Sequence, residues 1–195
     1  MVKTQFLLLF IYSGFTMNIV LQCGLGIKGA VESKSSLNKP TFIKLGVIFS
    51  SIVFLWLFFS EIIFSLSSGI FIYVLLFPVS AIVYNGLEYL IFNYMYKEKN
   101  ETETFINFPD GITAASAFIC LNIANSFLEA VMLSFGFTFG VFIVNLIISE
   151  IRRRAELEAV PVFLRGKPLV IIAMGMLSLV FTAASLLFFR MINAG

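Results

Sequence analysis

Residues 127–187 read FLEAVMLSFGFTFGVFIVNLIISEIRRRAELEAVPVFLRGKPLVIIAMGMLSLVFTAASLL. An apolar run from Phe127 to about Ile148 ends in the basic cluster Arg152-Arg153-Arg154. A polar connection follows, closed by Val160-Pro161 and Arg165-Gly166, and a second apolar run opens near Pro168. A helix needs about 20 apolar residues to cross a bilayer, and each run supplies them. The stretch predicts two membrane spans joined by a charged loop.

The rest of the chain has the same character. Of 195 residues, 59% are hydrophobic and only 12% charged, where a soluble domain is closer to half and a quarter. The charges are gathered into short segments between long uncharged runs, the layout of a polytopic membrane protein. There is no His, which excludes a histidine metal site or a histidine-based triad. The two cysteines, Cys23 and Cys120, both lie in apolar runs, so a disulfide framework is not expected. The N-terminal run lacks a small-residue cleavage site and is read as a first span rather than a signal peptide.

Six spans are expected: Thr4–Cys23, Phe42–Phe64, Gly69 to about Tyr94, a short one over Ile112–Ile123, Phe127–Ile148, and Leu169–Met191. With six spans the first, third and fifth loops share a side. They hold Lys28, Lys34, Lys39, Lys44, Lys97, Lys99, Arg152, Arg153, Arg154, Arg165 and Lys167, against Lys3 and Arg190 on the other. Cytoplasmic loops carry the basic excess, so both termini are expected outside the cytoplasm. The sequon Asn100-Glu101-Thr102 then falls on the cytoplasmic side and is taken as coincidental.

Two of these spans are irregular. The fourth follows Phe108-Pro109-Asp110-Gly111 and is interrupted by Asn122 and Asn125; the first carries Asn18 and ends in Gly24 and Gly26. Interrupted segments at matching places in two halves point to an inverted repeat with a functional site near mid-membrane. The expected fold is an all-α integral membrane protein, one membrane domain over residues 1–195. Its six transmembrane helices would form two inverted three-helix repeats, about 1–99 and 100–195, with interrupted first and fourth helices. The plain alternative is a six-helix bundle with two weak helices.

The order Ile151-Arg152-x-Arg154, Val160-Pro161, Arg165-Gly166 and Met176-x-x-Leu179-x-Phe181 resembles the RnfA-like membrane subunits of the Rnf/Nqr family. That resemblance spans nearly the whole chain, closest from Phe127 onward and loosest over Thr41–Phe77. It implies a subunit of a redox-driven ion-translocating complex, a translocase in the bacterial inner membrane. Electron transport across the membrane would be coupled to Na⁺ or H⁺ movement. Such a subunit is not catalytic alone. The implied partners are a paralogous RnfE-like membrane subunit, other subunits of the complex and the lipid bilayer, with no nucleic acid. No flavin or nicotinamide motif occurs in this chain.

The family's working centre is an iron–sulfur cluster held by cysteines on the first and fourth spans, and a [2Fe–2S] cluster takes four thiolates. Cys23 and Cys120 would supply two and the paralogous subunit the others. Both are out of the family register. The motif position after Leu25-Gly26-Ile27 is Lys28, and the one following Pro109 and Ile112-Thr113 is Ser116. Cys23 lies five residues early and Cys120 four late. In antiparallel spans those offsets move both thiols the same way, by roughly 6–8 Å. The alternative is that each is a small buried hydrophobe.

Four acids lie in or beside apolar runs: Glu61, Glu88, Asp110 and Glu129. Carboxylates in a membrane face a cavity or a partner. Asn85 and Glu88, three apart, share a helix face and match the family's pattern of an amide three residues before a Glu. Glu88, Asn85 and Glu129 are therefore the ion-coupling candidates, with an interfacial, span-end position the alternative for Glu61 and Glu129. Gly136, Gly140, Gly175, Ala183 and Ala184 are read as close-packing positions. Two rival functions remain: a non-redox scaffold of the same family, and a small-solute or ion transporter on the same inverted repeat.

Overall fold

The computed structural model describes residues 2–26, 39–63, 71–95, 111–157, 161, 164 and 166–194. The expectations placed on Lys28, Lys34, Lys97, Lys99, the Asn100 sequon, Pro109, Asp110, Val160 and Arg165 lie outside the described residues. Everything regular is helical, and no strand occurs among the described residues. The helices are α1 (Val2–Ile11), α2 (Ile19–Gln22), α3 (Lys39–Phe58), α4 (Phe71–Met95), α5 (Ile112–Ile123), α6 (Phe127–Leu157) and α7 (Lys167–Ala194). A π turn over Tyr12–Thr16 continues α1, and another over Phe59–Ile63 continues α3.

Four of these helices are long and apolar enough to cross a membrane: Thr41–Glu61, Tyr73–Tyr94, Phe127–Ala155 and Lys167–Arg190. Two apolar segments are shorter, Phe6–Gln22 and Ile112–Ile123. The chain is thus a multi-pass, helical, membrane-embedded protein. The helix Ile112–Ile123 and the start of the next at Phe127 coincide with the span edges read from the sequence. The fifth span differs at its far end. Its helix does not stop near Ile148 but runs to Leu157, through the arginine cluster. Glu150 explains the continuation, for its carboxylate receives Arg153 and Arg154 at 2.9–3.0 Å, pairs spaced i,i+3 and i,i+4 along the helix.

α6 is the hub. It packs on α1 and its π turn, α2, α3, α5 and α7, while α3 also packs on α4 and α5. Half of the most apolar window in α3 and in α6 is buried, against 17% in α4 and 11% in α7. Among the described residues, the larger of two buried apolar clusters closes off Val20, Ile48, Ile52, Leu133 and Val144 completely, and a smaller one joins Leu55, Phe59, Leu76 and Ala117. Phenyl rings line the seams of the larger: Phe10 stacks on Phe135, Phe15 on Phe181, and Phe42 meets Phe142.

Gly14, Gly136 and Gly140 bring α1 and α6 into backbone contact. A Cβ on Gly136 would collide with the Ser13 hydroxyl and stand 2.7 Å from the Phe10 carbonyl oxygen. One on Gly140 would stand 2.6 Å from the Gly14 carbonyl oxygen. This is the small-residue crossing that membrane helices use where apolar side chains gain nothing over lipid. Gly175, read from the sequence as another packing position, has nothing within 4 Å of its would-be Cβ.

Candidate functional site

The first apolar segment breaks at Met17 and Asn18, one turn before the glycine pair. Met17 leaves helical geometry (φ −105°, ψ 46°), and Asn18 is extended (φ −64°, ψ 108°). Asn18 is buried and fully used. Its Oδ1 accepts from the amides of Val20 and Leu21, at 3.2 and 3.3 Å, capping α2. Its Nδ2 donates to the Gly14 carbonyl at 3.1 Å and, across the crossing, to the Gly140 carbonyl at 3.2 Å. Open backbone at membrane depth is tolerated only under protein cover or beside a water-filled cavity. Here one amide and a glycine-thin neighbour supply cover.

Beyond α2 the chain turns through Gly24 and Gly26, both left-handed (φ 66° and 82°), and meets the start of α5. A Cβ on Gly26 would lie 2.9 Å from the Ile112 Cδ1. α5 opens from another left-handed glycine, Gly111 (φ 71°), and ends at extended Ala124. The two short segments, α2 and α5, pack on one another and on α6. The chain thus gathers both of its irregular membrane segments at one place.

The cysteines sit on these two segments in different environments. Cys23 ends α2 and is exposed; Cys120 is completely buried, its thiol 3.7 Å from the Ala130 carbonyl of α6. Along α5, Cys120 lies about 12 Å beyond Ile112. The [2Fe–2S] cluster implied by the sequence resemblance takes two thiolates from a partner, so both local thiols must reach the protein surface. Cys23 meets that condition. Cys120 does not, and the two thiols as the fold holds them do not fit a shared cluster. Ser116, at the family's cysteine position, is buried too, with its hydroxyl donating back to the Ile112 carbonyl. Among the described residues no group of three His, Cys, Asp or Glu side chains stands close enough to hold a metal.

The acids separate clearly. Glu129 lies at the start of α6, where its Oε2 accepts from the Asn125 amide at 2.9 Å and its own amide donates to the Ser126 hydroxyl at 3.3 Å. This is close to a capping box and holds the turn between α5 and α6. Glu61 is exposed within the π turn that ends α3. Glu88, on α4, is partly buried and stands 3.3 Å from Lys44 on α3. Asn85 shares its helix but is exposed. Lys44 is the residue that sequence reasoning misplaced. Counted among the loop cations, it lies inside α3 and is 8% exposed. Two signals were open to sequence reasoning: the expected second span, beginning at Phe42, already encloses Lys44, and a carboxylate follows 44 positions on, in the next apolar run.

Between α2 and α7 lies a groove of about 290 Å³, lined by Val20, Leu21, Gly24, Met174, Gly175 and Ser178. Beside it the Gln22 amide donates to the Thr182 hydroxyl at 3.1 Å. The chain matches no protein-family model and no curated protein.

Proposed function

We propose that this chain is a membrane subunit of an Rnf/Nqr-like, redox-driven ion-translocating assembly in the bacterial cytoplasmic membrane. It would be built as two inverted three-helix halves beside a paralogous RnfE-like partner. The observation that carries the reading is the meeting of the broken first span with the short α5, both under α6. Paired interrupted segments are the mark of folds that move small charged species at the repeat interface.

The pattern of helix contacts supports the repeat. Exchanging the first span with α5, α3 with α6, and α4 with α7 turns the packing of the first span on α6 into that of α5 on α3. It likewise turns the first span on α7 into α5 on α4, and α3 on α4 into α6 on α7. The contact of α5 with α6 has no counterpart of comparable extent. In this reading the termini lie outside the cytoplasm, and the Arg152–Arg154 end of α6 lies inside.

Burial of Cys120 and Ser116 favours the scaffold form of this function over the cluster-binding form. In the scaffold form the chain supplies half of the membrane frame, and electrons travel through its partners. Two measurements on the complex from native membranes test the proposal together. Co-purification of a paralogous membrane subunit supports membership in the assembly; a lone chain refutes it. Iron and sulfide content, compared with a Cys23→Ser variant, separates the two forms. Equal content supports the scaffold, and loss in the variant restores the cluster.

A further inference from the structure

We propose that Lys44 and Glu88 act as one electrically neutral unit within the membrane, and that their pairing fixes how α3 and α4 dock as a hairpin. Lys44 lies about one turn into its span and Glu88 about two turns from the end of its own, at the same end of the antiparallel pair. Their side chains are 11% and 28% exposed and stand 3.3 Å apart. Around them, Leu45, Ile48 and Tyr84 belong to the buried core, with Leu87 and Ile91 packed against it.

Either charge alone in such a place is unfavourable. Together they cancel, so each span carries its charge into the membrane only in the company of the other. Only 17% of the most apolar window of α4 is buried, and among the described residues its main packing is on α3 and α5, through a small buried cluster that includes Leu55, Leu76 and Ala117. The ion pair adds to this apolar packing a directional contact that holds in only one register. The same pairing bears on Glu88 as an ion-coupling residue. A cation that reaches this carboxylate competes with the Lys44 ammonium at Oε1.

The test is a double-mutant cycle on the full chain in its own membrane, reading abundance in the membrane fraction and survival of heating in mild detergent. Glu88→Gln and Lys44→Gln each remove one charge of the pair and leave the other unbalanced, and should lower the folded population on the order of 10-fold or more. Combining the two should recover much of that loss, because no charge is then stranded. The reciprocal exchange Lys44→Glu/Glu88→Lys should recover at least as much. Wild-type behaviour of both single variants would overturn the proposal. So would double variants no better than the product of the single losses, including the case in which no variant accumulates. The outcome does not depend on whether a cluster is bound or a paralogue is present.

Discussion

Asn18 and Gly140, 122 positions apart in sequence, are joined by a 3.2 Å hydrogen bond from the amide of one to the main-chain carbonyl of the other. The bond ties the break in the first apolar segment to the glycine crossing of α1 and α6. The donor is also the cap of α2, so a single side chain satisfies two free amides and two carbonyls. Replacing Asn18 with Ala removes all of these bonds without adding bulk at the crossing. The expected loss is about 1–3 kcal/mol of stability, seen as a lower unfolding midpoint in mild detergent; Asn18→Ser, which keeps a neutral cap acceptor, should lose less.

The glycines of the crossing are not equivalent to the others. Gly136→Ala and Gly140→Ala should each destabilise by about 1–3 kcal/mol, because the intruding methyl meets rigid main chain. Gly175→Ala should be neutral or slightly stabilising, since open space surrounds it and alanine favours the helix. Equal effects at all three positions in a thermal-shift series would contradict the crossing.

Thiol reactivity should follow burial. In detergent, a small maleimide should modify Cys23 rapidly and leave Cys120 unmodified until the protein unfolds. Mass spectrometry of the labelled chain reads both sites at once. Cys23→Ser should leave the unfolding midpoint within about 0.5 kcal/mol of wild type, as exposed substitutions do.

Glu129 is expected to serve the turn rather than the ion. Glu129→Gln retains an acceptor for the Asn125 amide and should preserve both stability and ion movement in vesicles, whereas Glu129→Ala should cost about 0.5–2 kcal/mol, the range for a lost cap. Loss of ion movement in the Gln variant, with stability intact, would return Glu129 to the coupling site.

Orientation has a direct readout. A reporter active only in the cytoplasm, fused after Gly195, should be silent, and the same reporter placed after Leu157 should be active. The reverse pattern would invert the assignment of the basic loops.

Much of the fold was legible because apolar runs of bilayer length admit few alternatives. The helix edges at Ile112, Ile123 and Phe127 followed from the Pro-Asp-Gly stretch before Ile112 and the amides Asn122 and Asn125 close by in sequence. What was not legible depended on distant partners. Gly24 and Gly26 drew attention as the break in the first span, but the helix opens earlier, at Asn18, where a carbonyl from another span makes the opening tolerable. Lys44 looked like a loop cation because nothing near it in sequence is acidic. The arginine cluster looked like the start of a loop because charge ends an apolar run, yet Glu150 lets the helix proceed.

That continuation has a mechanical result. A helix of 31 residues is about 46 Å long, and the hydrocarbon it crosses is about 30 Å thick. A typical tilt of about 20° absorbs only a little of the difference. The final turns of α6 therefore stand clear of the hydrocarbon like a mast, at headgroup depth, with the Glu150 clasp at their base. Because the same helix anchors the crossing at Gly136 and Gly140, a lateral push on the mast bears on the joint where the first span is open.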